Sequence, residues 1–318
     1  MLPADLTERY RLIAALAAAW PVRWLCRLFG VNVVSYYRSL KQVAAPEQAS
    51  LAAAVKEVFW RHSRRYGSRR IHAELKAAGV KVGRHVVRRL MREQGLQAIQ
   101  PRSFVPRTTA SRHTLGYSPN LLQGMKLPPE RPREIMVGDI TYLPLATGGF
   151  AYLATWTDLF SRKVVGWAVE QHMEESLIIE ALALALGRSE WPQGAIVHSD
   201  RGGQYGGKEF RRLLAQHGLR QSMSRAGESY DNPFAESFFS RYKAELLEGG
   251  LFSDVVEARL ESFNYIEGYY NGVRRHSSLG YVSPEEYERQ YAAQRAEAVE
   301  KTTGAAGRER SHSEATQV

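Results

Sequence analysis

The sequence predicts a mixed α/β layer fold preceded by an all-α, helix-turn-helix-like region, and three observations carry that expectation. Residues 5–98 place apolar and basic positions at helical spacing. Residues from 134 onward give three β-branched and aromatic runs, then helices and strands in alternation, and a Pro-rich basic stretch separates the two parts. The 318 residues, 44% of them apolar, suffice for about two domains with real cores. Charge divides the same way. Residues 1–133 hold 24 Lys and Arg against 7 Asp and Glu, a net +17, whereas residues 134–318 hold 19 against 26, a net −7. A basic front half suits a polyanion binder and an acidic second half suits a domain that gathers carboxylates around cations; a drift of surface charge is the plainer alternative.

The elements follow in order. TERYRLIAALAAAW, VRWLCRLFG with a stop at Gly30, and VVSYYRSLK read as three helices of a small helix-turn-helix-like unit. Pro46 and Glu47 open a further helix, LAAAVKEVFWRHS. In RRYGSRRIHAELKAAGVKVGRHVVRRLMREQGL, Ile71, Leu75, Val86, Val87 and Leu90 recur at helical spacing around the turn AAGVKVG. Arg84, Arg88, Arg89 and Arg92 lie three to five residues apart, so several share one helix face that suits a DNA groove or phosphates; a solvated face is the alternative. Residues 1–98 thus form the helical, basic DNA-binding region. Residues 99–133, with six prolines, read as a basic linker that either is inert or lies along DNA.

EIMVGDITYLP, FAYLATWTDLFS and KVVGWAVEQH, divided by TGG and SRK, predict an antiparallel three-stranded meander. Helix 174–188, strand AIVHSD, helix 207–217, strand LRQSMS and helix 233–248 follow. The order β-β-β-α-β-α-β-α is that of a ribonuclease-H-like layer fold, and by itself leaves other α/β folds open. Helix 254–271 comes next, then SPEEYERQY, in which Ser283 caps, Pro284 takes the first turn and Glu286 completes the capping box. The catalytic core with its C-terminal helices is expected over 134–291, and a polar, disordered tail over 292–318. A single cysteine, Cys26, excludes a disulfide framework or a Cys-rich zinc site and points to a reducing cytoplasm; no apolar run reaches membrane-spanning length.

Three carboxylates carry the chemistry. Asp139 lies in the apolar run GDITYLPL, Asp200 ends the strand-like IVHSD before RGGQ, and Glu236 opens the helical AESFFSRYKAELL. Sixty residues separate the first two and thirty-five the last two. Two strand ends and one helix that bring acids to one point meet the needs of a phosphoryl-transfer site with two Mg²⁺ or Mn²⁺ ions about 3.5–4 Å apart. A carboxylate buried unpaired on a central strand would otherwise be costly. Lys243, seven residues after Glu236, falls on the same helix face and is placed to hold a phosphate; taken alone it reads as a solvated lysine.

GDITYLP, YLATWTDLFSRKVVGWAV, HSDRGGQY, SMSRAGESYDNPFAESFFSRYKAELL and YIEGYYNGVRRHSSLGYVSP, with the spacing of their acids, resemble the DDE transposases of the bacterial insertion-sequence-three family. The match is to their second-reading-frame product, whose core is similar to retroviral integrase, and covers about residues 5–288. The resemblance implies that Asp139, Asp200 and Glu236 are catalytic and hold the metal, and that Lys243 contacts DNA near the reacting end. It implies strand cleavage by water, then attack of the freed 3′-hydroxyl on another phosphodiester, without a covalent enzyme intermediate. Asp158, Asp231, Asn232, His198 and Arg201 also sit in family motifs. Asp158 is expected to make structural hydrogen bonds at a strand end, with metal ligation the alternative, His198 and Asn232 to orient the carboxylates, and Tyr281, Ser283 and HSSLGY to dock the last helices. The implied partners are duplex DNA at the element's inverted repeats and in the target, further copies of the chain, and an upstream-frame helix-turn-helix protein, since no sustained heptads occur here. A nuclease that cuts without joining and a catalytically silent end-binding regulator are the competing readings.

Overall fold

The computed structural model describes residues 3, 5–42, 45–101, 116–224, 233–248 and 250–314, with the side chains at 40–42, 45–47, 233–236, 299–300 and 302–314 outside the description. The chain divides into two compact units, Met1–Ala98 and Ile99–Val318.

The first unit is helical throughout its described residues. Helices α1 (Leu6–Leu16), α2 (Val22–Leu28) and α3 (Val33–Gln42) enclose Ile13, Leu25, Cys26, Phe29 and Tyr36. Asp5 caps α1 through its side chain, and Gly30 takes the left-handed backbone (φ +62°) that ends α2. Helix α4 (Ala45–Arg61) packs on α5 (Ser68–Ala77) and α6 (Arg84–Glu93). Gly79 (φ +79°) turns the chain between α5 and α6, while Ile71, Leu75, Val87, Leu90 and Met91 supply the buried faces.

The second unit is a ribonuclease-H-like five-stranded mixed sheet in the order β3-β2-β1-β4-β5. Strands β1 (Ile135–Pro144), β2 (Phe150–Asp158) and β3 (Val164–Glu170) form the antiparallel meander, and β4 (Ile196–Ser199) and β5 (Arg220–Met223) add in parallel beyond β1. Helices α7 (Glu175–Arg188) and α8 (Lys208–Gln216) cover one face around Met136, Trp156, Leu182 and Phe210. The other face packs Leu143, Leu153 and Val164 against α9 (Pro233–Leu247) and α10 (Val255–Phe263) through Phe238, Tyr242 and Tyr265. Two contacts are tight enough to require glycine. A Cβ on Gly138 would meet the Trp156 ring at 2.3 Å, so β2's indole lies flat over β1 there, and one on Gly166 would meet the Ala181 carbonyl at 2.1 Å, so β3 and α7 approach closely at that point.

Three expectations change. The helix expected over 254–271 is α-helical only to Phe263, and Asn264–Asn271 winds as a wider π turn. In that turn the Asn271 amide donates to the Val164 carbonyl (2.9 Å) and accepts from the Val164 N–H (3.0 Å), serving the end of β3 as a strand would. The expected tail from 292 instead continues α11 (Pro284–Glu314), because AAQRAEAVEK is rich in strong helix formers; residues 315–318 lie outside the description. The C-terminal part of the linker over 99–133 is fastened to the core. Ser118 Oγ donates to Gln221 Oε1 (2.7 Å), the Leu121 N–H to Ser222 Oγ (2.9 Å), and Leu122 is buried. Ser283 accepts from the Glu286 N–H (3.3 Å) at the start of α11, and Leu279 of HSSLGY is buried against the core.

Candidate active site

Asp139 and Asp200 are brought together by sheet register. Strands β1 and β4 run parallel with Met136 opposite Val197 and Val137 opposite His198. Two residues further along each strand stand Asp139 and Asp200. Asp139 shares the side-chain parity of Leu143, so it lies on the sheet face that α9 covers. One of its carboxylate oxygens accepts the Ile140 N–H (2.8 Å). Asp200, just past the end of β4, accepts the Gly202 N–H (2.9 Å) in a tight turn. The turn is close-packed: a Cβ on Gly202 would come within 2.9 Å of Gln204 Oε1 and 3.1 Å of Asp200 Oδ1. Burial pushes the Asp200 carboxyl up from the ordinary range, and the Gly202 hydrogen bond opposes this only in part.

Lys243, on α9, lies within electrostatic reach of Asp139. Burial lowers its pKa, and the charge of Asp139 works against that by favouring the ammonium. Glu236 lies within α9, two turns before Lys243, and its side chain is outside the described residues, as are Asp231 and Asn232 altogether. Among the described residues no group of three or more His, Cys, Asp or Glu side chains could hold a metal ion. The two aspartates therefore stand as an all-oxygen pair of donors.

The flanking residues have specific partners. His198 is fully buried on β4, and its Nδ1 lies 2.8 Å from Ser222 Oγ on β5. Arg201 donates through Nε to the Ser224 carbonyl (2.7 Å) and lies over the Tyr117 ring at 4.7 Å. Asp158 is fully buried at the end of β2, away from the aspartate pair along the strand. It accepts from the N–H groups of Arg133 (3.3 Å), Phe160 (3.1 Å) and Ser161 (3.3 Å) and from Ser161 Oγ (2.8 Å). Burial raises its pKa to about 6 despite those bonds. In the front unit Arg84, Arg88 and Arg92 are exposed at four-residue spacing on α6, whereas Arg89 is half-buried and pairs with Glu93 at 3.5 Å.

Sequence reasoning passed over Tyr205, which ends HSDRGGQY and lies buried within electrostatic reach of both aspartates. It also passed over the Glu245–Arg274 ion pair. Arg274 Nε donates to Glu245 Oε2 (2.8 Å), a second donation from Nη2 makes the pair bidentate, and the Tyr265 hydroxyl donates to the same carboxylate (2.9 Å). Both charged side chains are 2% exposed. Glu245 sits one turn from Tyr242 on α9, so the pair ties the helix that carries Glu236 and Lys243 to the segment after the π turn.

Residues 129–229 and 217–284 match models of the family described as Integrase core domain, and residues 46–104 match that described as HTH-like domain. With the sheet order, this defines an integrase-core protein of ribonuclease-H-like fold with a helix-turn-helix-like front region. The chain is 37% identical over 285 residues to the transposase InsF for insertion sequence IS3A of Escherichia coli K12, a match covering 88% of this chain and 98% of that protein. It is also 37% identical over 243 residues to the transposase for insertion sequence element IS904 of Lactococcus lactis, covering 76% and 95%. The chain belongs to the insertion sequence IS3 family of transposases. Among solved structures it is similar to a simian T-cell lymphotropic virus intasome in complex with PP2A regulatory subunit B56 gamma, at a TM-score of 0.40 and 15% identity over 74% of each chain. It is similar also to the HTLV-2 integrase catalytic core domain in complex with magnesium, at a TM-score of 0.36 and 16% identity over 49% of this chain and 97% of that one. No helix among the described residues is long and apolar enough to cross a membrane.

Proposed function

We propose that this transposase is a divalent-metal-dependent polynucleotidyl transferase that cuts DNA at its element's ends and joins the freed 3′-hydroxyl to target DNA. Asp139, Asp200 and Glu236 hold two Mg²⁺ or Mn²⁺ ions in this reading. The observation that carries it is the parallel β1–β4 register, which sets Asp139 and Asp200 each two residues beyond the paired Val137 and His198, with Lys243 of α9 within electrostatic reach of Asp139. The residues present fit a hard cation. Two carboxylates, one made costly to ionise by burial, gain a counter-charge when a cation binds, and an all-oxygen donor set favours Mg²⁺ or Mn²⁺ over zinc.

When bound, such cations activate an attacking water or hydroxyl and neutralise charge on the leaving oxygen. Asp139 supplies donors from within β1 and Asp200 from just past the end of β4, and Glu236 closes the set from α9. Lys243 takes a phosphate oxygen of the bound strand as a compact point charge. Attack by water on the phosphodiester at the element end breaks a P–O bond and leaves a 3′-hydroxyl. That hydroxyl then attacks a target phosphodiester, forming one P–O bond as another breaks, so no energy source beyond the DNA itself is required. The exposed arginines Arg84, Arg88 and Arg92 contact phosphates of the end, with His198 and Asn232 orienting the carboxylates. Two element ends must meet for joining, so several copies assemble on DNA, with an upstream-frame helix-turn-helix protein as a further partner.

Labelled duplex element ends incubated with Mg²⁺ and wild-type or Glu236→Gln protein, with and without an upstream-frame fusion, test the reading. Joined products that need both the metal and Glu236 are expected. Cleavage without joining would favour a nuclease, and binding without chemistry even in the fused form would favour an end-binding regulator.

A further inference from the structure

Tyr205 stands five residues beyond Asp200, in the 3-10 turn Gly203–Gly206, and every part of it except its hydroxyl is fixed by the protein. Its N–H donates to the Gly202 carbonyl (3.1 Å), and its own carbonyl accepts from Gln221 Nε2 (2.5 Å). The ring meets Trp156 and Phe210 edge-on, with both centroids 5.9 Å away. Trp156 stacks on Phe210 at 5.8 Å and fills the space beside Gly138, so these rings cannot withdraw without moving the residue next to Asp139. The ring is thus held as rigidly as a core residue, at 2% exposure.

Among the described residues the phenolic oxygen has no hydrogen-bond partner, although it is buried. A buried hydroxyl left unpaired is costly, and such groups are uncommon in native folds. Burial, then the charges of Asp200 and Asp139, hold its proton on far above the ordinary tyrosine range, so at working pH it is a neutral donor within electrostatic reach of both aspartates, and the Tyr205 ring and Asp200 Oδ1 flank the same point at Gly202. Neither aspartate is bonded to it; Asp200 Oδ1 is engaged by the Gly202 N–H instead. The unmade bond therefore belongs to something that arrives at the aspartate pair.

We infer that Tyr205 is a positioning residue whose O–H donates to an oxygen of the cation shell that assembles on Asp139 and Asp200. This rests on the metal-dependent reading above. The bond is absent without the cation and forms when it binds, fixing the orientation of a carboxylate or of a cation-bound water.

The full chain without DNA, as wild type, Tyr205→Phe and Asp139→Asn, is titrated with Mn²⁺ by calorimetry and unfolded thermally in the presence of a chelator. Tyr205→Phe is expected to unfold in chelator at the same temperature as wild type or higher, since it removes an unpaired buried hydroxyl, yet to bind Mn²⁺ about 10-fold more weakly. Wild-type Mn²⁺ affinity in Tyr205→Phe, or a lower unfolding temperature in chelator, would overturn the inference; the latter would mean that the hydroxyl already has a partner in the protein. If Asp139→Asn weakens Mn²⁺ binding and Tyr205→Phe does not, only the role of Tyr205 falls. If Asp139→Asn and wild type bind Mn²⁺ alike, the metal reading itself fails and this inference falls with it.

Discussion

Asp139 and Asp200 stand level across the parallel β1–β4 pair, each two residues beyond the paired Val137 and His198. Backbone pairing, not side-chain contact, sets this relation. Asp139 is held within β1 and Asp200 just past the end of β4, so whatever shifts β1 should be felt at the site.

Gly138→Ala tests that coupling. Its Cβ would enter the Trp156 ring, which is itself confined by Tyr205 and Phe210, so overpacking should cost about 1–3 kcal/mol and lower Tm by about 2–4 °C per kcal/mol. Gly166→Ala meets an equally tight wall at α7 but is not adjacent to an aspartate. Comparable losses of Tm are expected in the two variants, with DNA joining reduced further in Gly138→Ala; equal activities would detach Asp139 from the packing of β1.

The Glu245–Arg274 pair should behave as a buried unit. Removing one partner, as in Arg274→Met, leaves an uncompensated carboxylate and is expected to cost about 3–5 kcal/mol in urea unfolding. Replacing Glu245 by Leu, Arg274 by Met and Tyr265 by Phe together removes both charges and the hydroxyl bonded to them, and should recover most of that loss. A triple variant as unstable as Arg274→Met would mean that the ionic contacts themselves stabilise the fold.

Asp158 should give the protein a pH signature. Its folded pKa, about 6, lies above the ordinary 3.8, so between these values the folded state binds the extra proton. Its contribution to stability is greatest below pH 4 and is lost as pH rises to about 6, a change of about 2–3 kcal/mol. Unfolding of wild type minus that of Asp158→Asn across pH 4–7 isolates this group. A difference that grows in favour of wild type with rising pH would contradict the assignment.

The α6 arginines should differ among themselves. Arg84, Arg88 and Arg92 are exposed, so alanine at all three should flatten the dependence of log DNA affinity on log salt by about 0.9 per lost phosphate contact. Arg89, paired with Glu93, should leave that slope unchanged when replaced. A slope unaltered in the triple variant would remove α6 from the interface.

The parts of this architecture legible in sequence were those with a local signal. β-branched and aromatic runs divided by TGG and SRK gave the meander, and an apolar run closing on an acid gave the end of β4 before Asp200, whereas Asp139, also expected at a strand end, lies within β1. What escaped depends on residues far apart in the chain. Glu245 and Arg274 read as surface charges until the fold sets them together, and Tyr205 reads as an ordinary core aromatic because nothing local marks its hydroxyl as buried with no partner among the described residues. The π turn at Asn264–Asn271 has no sequence period of its own; it exists where Asn271 reaches Val164. The extension of α11 was missed because polarity was weighed above helix propensity.

The most direct test of the central claim measures end binding and strand joining together, for wild type and for Asp139→Asn with Asp200→Asn, with Mg²⁺. Loss of metal-ion stabilisation worth several kcal/mol should cut joining by on the order of 10³-fold or more while the ends remain bound. Joining retained by the double variant, or end binding lost with cleavage intact, would contradict the account.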